Sequence, residues 1–356
     1  MLSSESTLAH AADTSSVEPL EGALGPRPPH TRAYDRSMAE APSPEELEAL
    51  HCWEPADRVP GRPAMTEFRR SLRFHQAQWR EANGHPVGSH PIVPRSGKLS
   101  RLVGSRLPLD YARATGASFL TSGARDAARV RTSFVEPHQS FDHQRFWADL
   151  LWSPALAFNL LGDLAADLDL ADRAVHALWP EVPGVVREVR FAHSPGRLDR
   201  TYLNSLREFD TAFVLELADG TDGVLAVDIK FHEWAKPETP KPSNRARNLE
   251  VANRSHMFVP GATDALLGRS ELCLMWLEHL LLLSMLQHAS GAWTWGRYVV
   301  VHPAGNSDVA ATCDHYRGLL VDESTFSSVT LEEVLGTGAL PASTVAALHD
   351  RYVTRD

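Results

Sequence analysis

The chain of 356 residues is 43% hydrophobic and 22% charged, which excludes a fibre, a disulfide scaffold and a wholly disordered polypeptide. Its 35 basic against 45 acidic residues give a formal charge of −10, arguing against a surface coated uniformly in positive charge for non-specific nucleic-acid or membrane binding. The length fits roughly two average domains or one elaborated core. Three isolated cysteines, Cys52, Cys273 and Cys313, exclude zinc-finger chemistry and fit a reducing cytoplasm.

Met1 to Ala12 lacks a basic region followed by an apolar run, so neither a secretory signal nor a membrane anchor is visible. Residues 1–62, with GPRPPH at 25–30 and APSPEE at 41–46, read as a mostly disordered leader. One short helix is expected after Ser43, where Ser-Pro-Glu-Glu supplies a cap, a first-turn proline and acids at the positive end of the helix dipole. Residues 63–135 read as a basic extension: a helix over Thr66–Glu81, then a Gly/Pro-rich loop over 83–97. Between Arg62 and Arg131 there are 13 Arg and Lys against 4 Asp and Glu, so this end faces either a polyanion or solvent.

The core is expected over 136–356. Residues 141–170 predict one or two amphipathic helices interrupted near Ser153-Pro154. Val185–Ala192 alternates as a strand and leads into the turn HSPGRLD at 193–199. Two β-like runs at 211–217 and 224–231 flank ADGTDG, whose Asp-Gly pairs predict a hairpin. Pro237, Pro240 and Pro242 with Arg245, Arg247 and Arg254 predict a basic connector. The apolar run Leu272–Gln287 is shorter than the roughly 20 residues of a membrane span and carries Glu278 and His279, so it predicts a buried helix. RYVVVH at 297–302 predicts a strand covered on both faces. Helices are expected around FSSVTLEEVL in the remainder, with Thr330 and Glu333 as a capping box. The order implies an α/β fold: a central mixed sheet with helices on both faces.

Chemistry concentrates in the hairpin. Asp210 opens one strand, and Asp228-Ile229-Lys230 lies on its neighbour, with Asp228 and Lys230 on one face by alternation. Two carboxylates and the backbone carbonyl of Ile229 are the hard oxygen ligands that Mg²⁺ prefers, with Mn²⁺ as a substitute. A metal there would polarise a phosphate, and Lys230 beside it would orient or help deprotonate the attacking water. The competing reading is a structural Asp–Lys pair, since D-x-K recurs by chance. Lysine usage favours the chemical reading: the chain has 4 lysines against 31 arginines, and an arginine cannot be deprotonated. His193 and Arg197 are read as loop groups that contact phosphate or stabilise the turn. A serine-hydrolase reading of His193, Ser194 and Asp199 fails for want of a G-x-S-x-G elbow.

Six segments together resemble the PD-(D/E)XK nuclease superfamily, and within it a bacterial group described as restriction endonucleases. They are RFWADLLWSPALAFNLLGDL (145–164), FAHSPGR (191–197), FDTAF (209–213), VDIKFHE (227–233), WLEHLLLLSML (276–286) and HPAGN (302–306), and the likeness runs over about Phe68–Leu335. The resemblance implies a restriction-endonuclease-like mixed sheet and Mg²⁺-dependent hydrolysis of DNA. It implies Asp210 and Asp228 as metal-binding acids and Lys230 as the catalytic lysine. Asn159 and Asp163 would lie on the helix beside the site, and Glu233 would be a further acid. A homodimer is the expected assembly, because cutting both strands needs two sites. Two departures stand out: Asp228 replaces the more usual glutamate, and Ala192 stands where a glutamate precedes His-Ser-Pro-Gly-Arg in relatives. The second leaves a rival open, a degenerate nuclease fold that binds nucleic acid or a partner. Another rival is a protein binding a small acidic metabolite through its basic half.

Overall fold

The computed structural model describes residues 41–91 and 100–353. Five strands form one mixed sheet in chain order: β1 (Val185–His193), β2 (Phe209–Glu216), β3 (Asp222–Ile229), β4 (Trp293–His302) and β5 (Phe326–Thr330). The first three pair antiparallel, and β4 and β5 are added in parallel. The α/β architecture with a central mixed sheet is as the sequence implied. The hairpin β2–β3 closes where Leu217 N donates to Thr221 O at 3.0 Å and Gly220 takes φ +79°, a conformation that glycine adopts without steric cost. β5 lies in the FSSVTLEEVL segment, around which pattern reading expects helices. FSSVT has five residues and three hydroxyls, and register with Tyr298–His302, not alternation, makes it a strand.

The longer helices are α1 (Pro63–Ala82), α2 (Ser122–Ser133), α3 (Ser153–Ala166), α4 (Leu168–Leu178), α5 (Arg245–Ser255), α6 (Cys273–Leu286), α7 (Ser307–Arg317) and α8 (Ala342–Tyr352). The helical stretch expected over 141–170 is three pieces: His143–Ala148, α3 and α4. Pro154 opens α3, where its missing N–H costs nothing, and Asp167 caps α4 by accepting from Leu170 N at 2.9 Å. The basic connector contains α5, with Val251 and Ala252 buried.

Alternation sorts the strand side chains between two apolar cores. Phe213, Leu225, Val227, Ile229, Val299 and Val301 pack with α3. Ala212, Val224, Ala226, Tyr298 and Val300 pack with α6. Both faces of α6 are apolar because the helix lies between the sheet and α5. Among the described residues, no helix is long and apolar enough to cross a membrane.

The N-terminal expectations need correction. Residues 1–40 of the expected leader lie outside the described residues. From Ser43 the chain is packed, not loose. Ser43 and Glu46 form a capping box, Leu47 and Cys52 are buried against Ala77, and the fully buried Asp57 accepts from Arg73 Nε at 2.5 Å. The stretch 63–135 likewise shares one core with the sheet domain: Leu72, Trp79, Phe119 and Ala124 join α3 and Tyr352 in the same cluster. Nor do its arginines simply face a polyanion or solvent. Arg69, Arg73, Arg80 and Arg106 are buried, and Arg80 Nε donates to Gly104 O at 2.8 Å while Arg106 Nη1 donates to Asp149 Oδ2 at 3.1 Å. They are internal struts, whose charge must be paired because burial strips it of water.

Candidate active site

The strand register brings Asp210 and Asp228 together. Thr211 pairs with Val227 across β2–β3, so Asp210 and Asp228 are the next cross-strand pair. Ile229 N donates to Asp210 Oδ2 at 2.8 Å, and Asp210 N donates to Asp228 Oδ1 at 3.3 Å. Each acid thus ties its carboxylate to the opposite strand's backbone. Lys230, one step beyond β3, anchors its own N–H on Val301 O at 2.9 Å and donates from Nζ to Asp228 Oδ2 at 2.9 Å.

Two residues that sequence reading assigned to the core complete the cluster. Glu278 projects from α6 onto the same face, and its Oε2 accepts from Lys230 Nζ at 3.3 Å. The Tyr298 hydroxyl, fully buried on β4, lies 2.9 Å from Glu278 Oε2 and 3.1 Å from Asp228 Oδ2. Each left a signal. Glu278 is an acid inside the apolar run LCLMWLEHLLLLSMLQ, where an ionisable group must find a partner, and Tyr298 is the polar-tipped residue of RYVVVH. Arg207 Nη1 stands 3.7 Å from Glu278 Oε1 and is a third exposed, so it links the cluster to solvent.

Burial and the Asp228 charge push the Asp210 carboxyl well above the ordinary carboxylate range. Burial opposes the Asp228 charge too, but the Lys230 ammonium, with hydrogen bonds to Glu278, Lys230 and Tyr298, holds that carboxyl below its ordinary value. Burial, then Asp228, pushes Glu278 up to about 7. Burial disfavours the Lys230 ammonium, yet Asp228, Glu278 and Asp210 outweigh it and raise its pKa well above the usual value. One hydroxyl proton cannot serve two carboxylates, so the Tyr298 contacts fit a Glu278 that is protonated in part near neutrality.

A divalent cation fits this donor set on charge. Three carboxyls share one ammonium, and burial together with the neighbouring Asp228 charge disfavours the charged form of Asp210, which a cation beside it would favour. Among the described residues, no group of three or more His, Cys, Asp and Glu side chains is arranged to hold a metal. A metal at this place would have the Asp210 and Asp228 carboxylates as the nearest pair of hard oxygen donors.

A family model for the PD-(D/E)XK nuclease superfamily matches residues 63–354. The chain belongs to that superfamily. No curated protein and no solved structure matches it.

Other residues that the nuclease resemblance singled out are engaged elsewhere. Asn159 Nδ2 donates to Ser118 O at 3.0 Å and Tyr352 Oη at 2.8 Å, while its Oδ1 accepts from Leu120 N at 2.7 Å. It ties α3 to the 118–120 loop and α8. Asp163 accepts from Thr121 Oγ1 at 2.7 Å and Thr344 Oγ1 at 2.6 Å, joining α2 and α8 to α3. Their partners all lie outside the carboxylate cluster, and α3 packs in the core opposite that of α6. Glu233 accepts from Ser153 Oγ and from His232 N at 3.1 Å, at the start of α3.

Of the two readings of Arg197, phosphate contact and turn stabilisation, its surroundings favour the second. Its side chain is 3% exposed and bonds Glu136, Glu208 and the Ala192 carbonyl. His193 is also buried, and desolvation lowers its pKa to about 4, leaving a neutral imidazole. Ala192 lies between Phe191, which pairs with Thr211, and His193, which pairs with Phe209. Asp210 is therefore across from it, and Ala192 takes φ +48°. Ala192, where the resemblance leads one to expect a glutamate, thus borders the carboxylate pair.

Proposed function

We propose that this nuclease-superfamily chain is a Mg²⁺-dependent endodeoxyribonuclease of the cytoplasm, serving restriction or defence, with Asp210, Asp228 and the Ile229 carbonyl holding the metal and Lys230 as catalytic residue. The observation that carries this reading is the cross-strand Asp210–Asp228 pair with the Lys230 ammonium 2.9 Å from Asp228. When bound, the metal would polarise the scissile phosphate and acidify a water. Lys230 holds its proton, so its work is to donate hydrogen bonds to the attacking water and offset charge developing on the phosphate, not to remove a proton. Glu278 and Tyr298 fix the ammonium and the Asp228 carboxylate in place. Two such sites in a homodimer would cut both strands.

One observation favours a second reading. With alanine across from Asp210, β1 brings no acid to the pair, which suits a nuclease fold that binds nucleic acid or a partner without cutting. Plasmid and single-stranded DNA incubated with Mg²⁺ or Mn²⁺ separate the two. We expect metal-dependent cleavage that falls by at least about 10³-fold in Lys230→Ala and Asp228→Asn. Salt-sensitive DNA binding with no cleavage by wild type, and cleavage gained by Ala192→Glu, would favour the degenerate fold. Binding of neither DNA nor metal would sink both.

A further inference from the structure

While Arg69, Arg73, Arg80 and Arg106 are internal struts, exposed cations gather on three segments beside the carboxylate cluster, 200–208, 236–247 and 268–273. Hydrogen bonds join the three. Glu238 N donates to Ser270 O at 3.0 Å and Ser270 N to Glu238 O at 2.8 Å, which seats the basic connector on the turn before α6. Asn244 Nδ2 donates to Asn204 O at 2.8 Å and Arg247 Nε to Tyr202 O at 2.6 Å, which seats the start of α5 on the loop before β2. From that loop Arg207 reaches the cluster itself, 3.7 Å from Glu278 Oε1. Burial pushes the Cys273 thiol at the start of α6 up to about 11, and the charges of Arg207, Glu238 and Glu278 all act on it, so the segments converge there.

Arg200, Lys236, Lys241, Arg245 and Arg269 are all exposed, and among the described residues none of these side chains has a carboxylate partner or a hydrogen bond. Three of the chain's four lysines, Lys230, Lys236 and Lys241, lie on the same stretch. The acids of the three segments are mostly taken, Glu208 by Arg197 and Glu271 by Arg62. Glu238 is left without a cation. In a chain of net charge −10, a surface whose acids are neutralised and whose cations are not carries a local positive potential against the mean.

Exposed cations by themselves are an ordinary solvated face. What sets these apart is the acidic site that they adjoin. Its three carboxyls share one ammonium, so a phosphodiester brought to Asp210 meets like charge unless cations on the flanks hold the strand.

We propose that the phosphate backbone of the DNA substrate lies along this connector, held by Arg200, Lys236, Lys241, Arg245 and Arg269, with Arg207 at the phosphate nearest the carboxylates. This assignment rests on the nucleic-acid reading above. Contacts of this kind fix the register and orientation of a strand without reading its sequence.

Binding in EDTA tests this surface without any hydrolysis. The anisotropy of a labelled DNA duplex would be titrated with the full chain over a range of KCl concentrations. Lys241→Gln combined with Arg245→Gln should weaken binding by at least about tenfold and lower the slope of log affinity against log salt by about two, close to one for each lost phosphate contact. Arg113→Gln combined with Arg173→Gln removes the same charge from exposed residues, on helices that pack in the core of α3, and should change neither quantity. Glu238→Lys should tighten binding and steepen the slope by about one, a gain that no misfolded chain would give. DNA binding with an unchanged slope in the Lys241 and Arg245 variant, or an equal loss in the Arg113 and Arg173 variant, would overturn this surface and leave the nuclease reading standing. Binding to vesicles of phosphatidylserine and phosphatidylcholine but not to DNA would overturn DNA as the occupant, and the nucleic-acid reading with it. Loss of slope as expected in a wild-type chain that cuts nothing once Mg²⁺ is added would support the surface and count against the catalytic reading alone.

Discussion

Asp210 and Asp228 face each other across β2 and β3, and each carboxylate is held by a backbone N–H of the opposite strand, from Ile229 at 2.8 Å and from Asp210 at 3.3 Å. Hairpin register, not side-chain flexibility, sets their approach. The arrangement places two like charges in a buried setting with one ammonium between Asp228 and Glu278.

Asp210→Asn tests the cost of that approach. The folded Asp210 carboxyl holds its proton more tightly than the unfolded one, so its contribution to stability is complete below the unfolded value and is lost as pH rises through the raised folded value. Asp210→Asn should therefore melt above wild type at pH 8 in EDTA, with the gap narrowing toward pH 4. Added Mg²⁺ at about ten times its dissociation constant should stabilise wild type by about 1.4 kcal/mol and the variant by less. Melting curves that keep the same order and spacing at both pH values would contradict this.

Tyr298→Phe removes one buried hydroxyl and no ring. The fold should lose only about 1–2 kcal/mol, while Mg²⁺ affinity or the single-turnover cleavage rate drops about 10- to 100-fold. Glu278→Gln keeps the Tyr298 acceptor and should fall less at pH 6 than at pH 8, because Glu278 is pushed up to about 7 and is largely neutral at the lower pH. Equal losses at both pH values would remove Glu278 from this role.

His279 gives the acid limb of stability. It is fully buried between Tyr316 Oη and Thr325 Oγ1, both at 2.9 Å, and desolvation lowers its pKa to about 3. The native state excludes a proton that the unfolded chain binds from about pH 6.5 downward, so stability is full above that value and falls as pH drops toward 3. In denaturant titrations over this window, His279→Gln should take up about one proton fewer on unfolding than wild type. An unchanged slope would refute it.

Gly162 sets the distance between α2 and α3. A Cβ there would stand 2.4 Å from Ala124 Cα, a backbone atom that cannot turn aside. Despite the better helix propensity of alanine, Gly162→Ala should destabilise by about 1–3 kcal/mol in urea unfolding. A neutral or stabilising effect would mean that the two helices separate freely.

Arg197→Ala separates a strut from a DNA contact. Removing a buried guanidinium that bonds Glu136 and Glu208 leaves Glu136 to Arg131 alone and Glu208 to Gln139, which should cost about 2 kcal/mol. The salt dependence of DNA affinity should not change. A slope reduced by about one would restore Arg197 as a phosphate contact.

The sequence by itself determined whatever rests on local pattern. The Asp-Gly turn fixed the hairpin, and the hairpin carries Asp210 and Asp228 on neighbouring strands because side chains alternate and register follows from the turn. Thr330 and Glu333 capped their helix as expected, with Glu333 N donating to Thr330 Oγ1 at 3.1 Å. Only the tertiary structure could decide which polar residues meet across long separations. Glu278 reaches Lys230 because α6 crosses the face that bears Asp228, and no local pattern encodes a contact 48 positions apart. The same limit explains the arginines. Composition registers the charge of Arg73 and Arg197 but not the carboxylates that bury with them, so an internal strut and a solvent-facing cation look identical until the chain is folded. Asn159 and Asp163 occupy a helix the pattern located correctly, yet their direction depends on helix rotation about its axis, which only packing against neighbours such as α2 decides.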